Sequence, residues 1–326
     1  MSPASGHPPY RPLVLAILGP TATGKSTLAI AIAERHGGEI VNCDSTAVYR
    51  GFDIGTDKVA VHERRGIPHH VVDLVDPTEE YSAARYARDA AAAIRDILAR
   101  GRLPILVGGT GLYYRALTRG LFPGPGKDEQ LRTRLEHSAE KRGVEWLHRL
   151  VRRVDPESAL RIQPRDRKRL IRALEVYFLT GMPLTRHFAE TVSPLEGYAV
   201  VPLALRLPAD ATAERVRRRV DDQFERGVVD EVRRLLASGV PRTARPFGGL
   251  VYRQILELLD GVRDEEATRA LIAQENRRYA RRQLIWFRKE PNLVWFDGPG
   301  ESPEVIARVH ATVETLHTTH IDGSEH

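Results

Sequence analysis

Gly19-Pro20-Thr21-Ala22-Thr23-Gly24-Lys25-Ser26 fits G-x-x-x-x-G-K-[ST], a spacing whose chemistry is the holding of phosphate. Gly19 and Gly24 allow backbone angles that aim successive N–H groups at one point, a helix N-terminus adds partial positive charge, and Lys25 adds a full one. Ser26 is placed to hold a magnesium ion bridging phosphate oxygens. A diphosphate or triphosphate fits; whether phosphorus or carbon is attacked must be decided elsewhere in the chain. A second reactive group is Asp44, in Asp44-Ser45-Thr46-Ala47, at the kind of strand end where such sheets place their ligands.

These groups need strands and helices to hold them. Leu13 to Leu18 is an unbroken apolar run of strand length, as expected of a strand buried on both faces, and Leu28, Ile30, Ala31 and Ile32 begin a helix running to about Arg35. Glu39 to Asn42 reads as a second strand and His69 to Asp73 as a third. His69 and His70 would face opposite sides of it, so a shared metal is not expected. Tyr81 to Arg100 has helical spacing closed by Gly101, and Leu103 to Val107 is a fourth strand ending in Gly108-Gly109-Thr110-Gly111. Strand, helix and strand repeat, which predicts an α/β fold with a parallel sheet. A nucleotide hydrolase usually ends that fourth strand in an acid; here glycine stands there, and Asp73 or the better-placed Asp44 must serve. ATP hydrolysis is thereby disfavoured but left open.

From about residue 121 the pattern changes. Phe122-Pro123-Gly124-Pro125-Gly126 reads as a linker, and the chain to Glu190 is helical in periodicity, with fifteen Lys or Arg against ten Asp or Glu between Lys127 and Glu190. The sheet resumes at Ala199 to Leu205. One long helix is expected over Ala211 to Leu236, carrying Arg215, Arg217, Arg218 and Arg219. Another opens at Phe247 to Gln254, and a third runs from Glu265 to Lys289. Its Arg277, Arg278, Arg281 and Arg282 lie beside Tyr279, Trp286 and Phe287, an interleaving that suits a nucleic acid backbone. Val294 to Asp297 is the last strand. The expected division is a core of residues 10–120 and 199–298, a helical insertion over 121–198, and a short helix with a polar tail over 299–326.

Composition fits this division. A chain of 326 residues with 42% hydrophobic content can bury a proper core. It has no apolar run of eighteen residues, and its first twelve residues lack a signal core, so a cytoplasmic protein with no membrane partner is expected. Cys43 is the only cysteine, which excludes disulfides within the chain and thiolate zinc sites, and it reads as a small apolar filler. Lys and Arg exceed Asp and Glu by 49 to 43, a net charge of +6, which suits a polyanionic partner.

The phosphate loop, Asp44-Ser45, Val48-Tyr49, Asp53-Ile54-Gly55-Thr56, Val107-Gly108-Gly109-Thr110-Gly111-Leu112-Tyr113, Arg172-Ala173-Leu174-Glu175-Val176 and Arg281-Arg282-Gln283 with Trp286-Phe287 together resemble the tRNA dimethylallyltransferases, in order and spacing, from about residue 13 to 296. The resemblance implies a P-loop nucleoside-triphosphate-hydrolase-like parallel sheet with a helical tRNA-binding insertion. It also implies transfer of the dimethylallyl group of dimethylallyl diphosphate to N6 of adenosine 37, beside the anticodon, with release of diphosphate. By that resemblance Asp44 takes the N6 proton and Thr110 hydrogen-bonds the reacting groups. Gly19, Thr21, Ala22, Thr23, Gly24, Lys25, Ser26 and Arg219 hold the diphosphate, with Mg2+ at Ser26. Asp44, Ser45, Thr46, Ala47, Thr110, Arg132, Lys168, Arg169, Leu170, Ile171, Arg172, Arg281 and Arg282 meet the tRNA anticodon stem-loop, and a monomer is expected. Two positions depart from the family: Val251 stands where it usually has Gly before a Tyr-(Arg/Lys) pair, and Lys168 where glutamine is common. The rival readings are a P-loop kinase or NTPase, and an adenylate isopentenyltransferase acting on free nucleotide, which would have little use for the basic helical insertion.

Overall fold

The first apolar run forms strand β1 (Leu13–Leu18), which leads into helix α1 (Lys25–His36). The structure, a computed structural model, describes residues 11–122 and 124–321, with side chains to 316. The expected polar tail beyond 321, the first ten residues and Pro123 of the linker lie outside the described residues. In chain order there follow β2 (Gly38–Asn42), β3 (His69–His70), α2 (Ala83–Ala99), β4 (Leu103–Gly108) and α3 (Gly111–Arg119). Helices α4 (Glu129–Arg142), α5 (Val144–Val154), α6 (Pro156–Arg161), α7 (Arg167–Thr180) and α8 (Leu184–Ala189) come next. The chain then forms β5 (Ala199–Arg206), α9 (Ala209–Glu225), α10 (Val228–Ala237), α11 (Tyr252–Leu259), α12 (Glu265–Phe287), β6 (Val294–Asp297) and α13 (Pro303–Ile321). Two compact units result: one runs to Thr118 and resumes at Pro194, the other is Arg119–Ser193.

The first unit is a six-stranded, all-parallel sheet in the order β3-β2-β4-β1-β5-β6. Successive residues of β1 face opposite ways, so its unbroken apolar run serves two cores. Val14, Ala16 and Leu18 pack with Ile94 and Ile97 of α2, while Leu15 and Ile17 pack with Leu28 and Ile32 of α1 and Val309 of α13. The register pairs Leu18 with Gly108 and Asn42 with Val107. The phosphate loop, Asp44 and Gly109-Thr110 therefore leave the sheet side by side at its C-terminal edge, where open α/β sheets bind ligands. The second unit has its own core, formed by Leu135, Leu147, Val151, Leu170, Ile171 and Leu174 of α4, α5 and α7.

Several expectations are corrected. The third strand stops at His70 because Val71 and Asp73 take positive φ (60° and 52°). The long helix from Ala211 is two helices, divided at Gly227 with φ 85°. The helix expected to open at Phe247 starts only at Tyr252, after a 3-10 turn over Arg245–Gly248. Helix α3 was not anticipated. The C-terminal helix is not short: it runs 19 residues and buries Val305, Val309 and Val313 against α1. Leu195 and Tyr198 pack in the core of the sheet rather than with the inserted helices.

Candidate active site

Glycine geometry shapes the loop between β1 and α1. Gly19 has φ 135°, and a Cβ there would stand 2.6 Å from the carbonyl oxygen of Leu205. Gly24, at φ 83°, is the N-cap of α1 and supplies no capping side chain, and no acidic residue lies in the first turn. The first N–H groups of α1 are thus left for an anion. The loop is braced from three distant parts of the chain. Thr21 N–H donates to Gln283 Oε1 (2.9 Å), Arg215 Nε donates to the carbonyl of Ala22 (2.6 Å), and Gly300 N–H donates to the carbonyl of Thr23 (2.8 Å).

Arg215 and Arg219 stand four residues apart on α9 and so share a face, while Arg217 and Arg218 pair outward with Glu214. Arg219 Nη1 donates to Thr21 Oγ1 (2.5 Å), and its Nε is ion-paired with Asp57, which also accepts from Gln223 Nε2 (2.7 Å). Burial raises the Asp57 pKa, with Arg219 working against it. Lys25 is half-buried and donates to the carbonyl of Pro20 (2.5 Å). Enclosure of its ammonium, then the charge of Arg219, lower its pKa to about 7, with Asp44 acting in the opposite sense.

Asp44 sits in a tight turn of its own making. Its Oδ1 accepts from Thr46 N–H (2.8 Å) and Thr46 Oγ1 (2.6 Å), and its own N–H donates to Asn42 Oδ1 (3.0 Å). Ser45 N–H donates to Thr110 Oγ1 (3.1 Å), which joins the β2 and β4 ends. Tyr279 of α12 stands beside Thr110, and burial, then the Asp44 charge, push its hydroxyl up to about 12, so it stays protonated. Thr21, Lys25, Ser26, Asp44, Arg219 and Tyr279 line one cleft of about 380 Å³; Thr110 is not in its lining and meets it through Ser45 and Tyr279. Its polar groups are those of a phosphate clamp on one side and a carboxylate with adjacent hydroxyls on the other.

Other predicted groups take different places. Burial pushes the Cys43 thiol up to about 12, in keeping with a filler rather than a nucleophile. Asp73, the alternative strand-end acid, is ion-paired with buried Lys58 (2.5 Å), which also binds Asp53 (2.7 Å). His70 pairs with Glu39 (2.7 Å) and His69 with the carbonyl of Ile67 (2.9 Å), so the two have separate partners. Arg282 borders the cleft 5.6 Å from the Tyr279 ring, and Arg281 is exposed.

In the second unit, Leu170 and Ile171 are core residues, so their side chains cannot reach an RNA. Arg132 and Arg172 clamp Glu175, at 2.7 Å each, and Glu175 is fully buried. Burial would raise the Glu175 pKa, but these two guanidiniums and the Asp128 N–H hold it at about 2. Lys168 and Arg169 are exposed in the first turn of α7.

Gln283, Asp57, Gln223 and Glu231 carry no sequence signal for the places they take, and Tyr279, expected only among basic residues suited to a nucleic acid backbone, stands in the cleft. Glu231, buried, accepts from Asp53 N–H (3.0 Å), Ile54 N–H (2.7 Å) and Tyr252 Oη (2.6 Å), and so fixes the Asp53-Ile54-Gly55-Thr56 motif. Tyr252 is thereby a buried anchor. The i, i+4 spacing of Arg215 and Arg219 was a usable signal; Thr21 and Gln283, 262 residues apart, offered none.

The sequence profile described as IPP transferase matches residues 47–290. A tRNA dimethylallyltransferase of Koribacter versatilis is 44% identical over 304 residues, covering 93% of this chain and 99% of its own. One from Solibacter usitatus is 48% identical over 294 residues, 90% and 95% of the two chains. Among solved structures, a full-length tRNA isopentenylpyrophosphate transferase of Bacillus halodurans superposes with a TM-score of 0.71 at 36% identity, covering 97% of this chain and all of its own. A eukaryotic dimethylallyltransferase acting on tRNA gives a TM-score of 0.78 at 27% identity, covering 94% and 80%. With a matching profile over most of its length and relatives matched nearly end to end, the chain belongs to the tRNA dimethylallyltransferase (IPP transferase) family.

Proposed function

We propose that the protein transfers the dimethylallyl group of dimethylallyl diphosphate to N6 of adenosine 37 in tRNA. The observation that carries this reading is the sharing of one cleft by the phosphate loop with Lys25 and Arg219 on one side and Asp44 on the other. N6 of adenine is a weak nucleophile because its lone pair is delocalised into the ring. As N6 bonds to the first carbon of the dimethylallyl group, the carbon–oxygen bond to diphosphate breaks and Asp44 removes the N6 proton. Thr46 occupies Oδ1 of Asp44, so Oδ2 is the oxygen that receives the proton. Lys25, Arg219 and the N–H groups at the start of α1 meet the charge growing on the diphosphate, and Thr110 orients the groups that react.

Ser26, exposed on the cleft beside Lys25, would supply one hydroxyl ligand to a magnesium ion. Among the described residues no cluster of three or more His, Cys, Asp or Glu is arranged to hold a metal, so a magnesium ion here would rely on Ser26 together with substrate oxygens and water, a ligand set that magnesium tolerates. An ion held there would neutralise part of the diphosphate charge. The exposed cations of the second unit, Lys168 and Arg169, contact tRNA phosphates, and Arg282 those near the extruded base.

Incubation with labelled dimethylallyl diphosphate tests this directly. Label should pass to an anticodon stem-loop carrying adenosine 37 and not to free AMP. Transfer to AMP alone, or turnover of ATP with the isoprenoid donor untouched, overturns the assignment.

A further inference from the structure

Gln283 joins the two sides of the cleft through one buried carboxamide. Its Oε1 accepts from Thr21 N–H and its Nε2 donates to the carbonyl of Gly109, both at 2.9 Å. The orientation is fixed by chemistry, since an N–H needs an acceptor and a carbonyl a donor. The glycine motif after β4 is shaped to receive α12: a Cβ at Gly109 would collide with Nε2 of Gln283, and one at Gly111 with the indole of Trp286. Thr21 holds Arg219 on the diphosphate side, and Thr110, next to Gly109, holds the Ser45 N–H beside Asp44.

We propose that Gln283 is a positioning residue for the transfer, its carboxamide setting the spacing between the phosphate loop and the Gly109-Thr110 turn, and hence between leaving group and acceptor. The inference rests on the function proposed above. Bond formation between two bound substrates is steep in their separation, and a shift of about 1 Å costs about 100-fold in rate. A buried amide that served only to hold the fold would, when removed, lower stability without separating kcat from KM.

The test uses Gln283→Leu and Gln283→Glu in the full-length chain, with dimethylallyl diphosphate and a stem-loop RNA as substrates. Gln283→Leu should lose about 100-fold in kcat with donor KM changed by less than about threefold. In Gln283→Glu the carboxylate opposes the Gly109 carbonyl, whereas the protonated acid donates to it as the amide does. The ratio of its kcat to that of the unaltered enzyme should therefore rise as pH falls. Backbone hydrogen exchange over residues 19–24 and 108–112 should speed up together in both variants. A kcat within about twofold of normal, a loss confined to KM, or a pH-independent ratio overturns the proposal. If Gln283→Leu does not fold, the isosteric Gln283→Glu decides alone. If the unaltered protein transfers no isoprenoid, the functional reading fails, and unchanged hydrogen exchange in the variants would separately refute the clamp.

Discussion

The Lys25 ammonium lies 2.5 Å from the carbonyl oxygen of Pro20, folded back on the loop whose phosphate it would hold. With its pKa lowered to about 7, most of this lysine is neutral at pH 8. A bound diphosphate favours the charged form, so binding at pH 8 should take up nearly one proton at Lys25, and affinity should fall as pH rises above 7. Calorimetry in buffers of different ionisation enthalpy measures the uptake. Lys25→Arg should abolish it, since a guanidinium stays charged; equal uptake in both proteins would refute the assignment. The sign for stability is opposite to that for binding. Between pH 7 and 10.5 the unfolded lysine holds the proton and the folded one does not, so this group's contribution to stability grows with rising pH across that window.

Arg219 reaches Thr21 while Asp57 holds its Nε from behind, and Gln223 in turn holds Asp57. Arg219→Ala should weaken dimethylallyl diphosphate binding by about 10–100-fold, the worth of one charged hydrogen bond. Asp57→Asn should act in the same direction and more weakly, because the guanidinium stays but is no longer aimed. Stem-loop affinity measured in parallel should be unchanged. Loss of RNA binding with intact donor binding would contradict this placement.

The cations of the second unit divide by environment. Arg132→Ala removes one of the two guanidiniums that satisfy buried Glu175 and, with Arg172 and the Asp128 N–H still in place, should destabilise the protein by about 1.5–3 kcal/mol. Lys168→Ala and Arg169→Ala should leave the melting temperature nearly unchanged and reduce the salt slope of stem-loop binding by about one each. With Glu175 held at about 2 against an ordinary 4.5, its contribution to stability is complete above pH 4.5 and is lost as pH falls toward 2. Denaturant titration and binding across a salt series check the division.

Asp44→Asn keeps an oxygen for Thr46 to bond, so the turn should persist while the base is lost. Turnover should fall by about two to four orders of magnitude with stem-loop binding retained. Near-normal turnover would remove Asp44 from the chemistry.

What could be read in advance was what the local pattern dictates. The phosphate loop and β1 were legible because a motif and an apolar run coincide, and Asp44 because it follows a strand. Gly227 could equally have been tolerated inside a helix, so the break between α9 and α10 was not apparent. Leu170 and Ile171 lie within the basic stretch that the resemblance would set against RNA, yet helical spacing turns them inward, away from Lys168 and Arg169. The braces of the cleft, Gln283 to Thr21 and Glu231 to the Asp53-Ile54-Gly55 amides, join residues far apart in sequence and obey no periodicity.

The resemblance would put glycine at Val251, one of the two expected departures, and the backbone there has the geometry that glycine suits. Its φ is 74° and ψ −64°, a conformation unfavourable for a β-branched residue, directly before the buried anchor Tyr252. Strain of this kind costs about 1–3 kcal/mol. The buried Val251 side chain returns about 1.5–3 kcal/mol through its removal from water. The two nearly cancel, so Val251→Gly should change stability by less than about 1 kcal/mol, whereas Val251→Ala loses burial and keeps the strain. The usual order, in which alanine is less harmful than glycine, should therefore be inverted in urea unfolding. A Val251→Ala protein more stable than Val251→Gly would show that the backbone here is not strained.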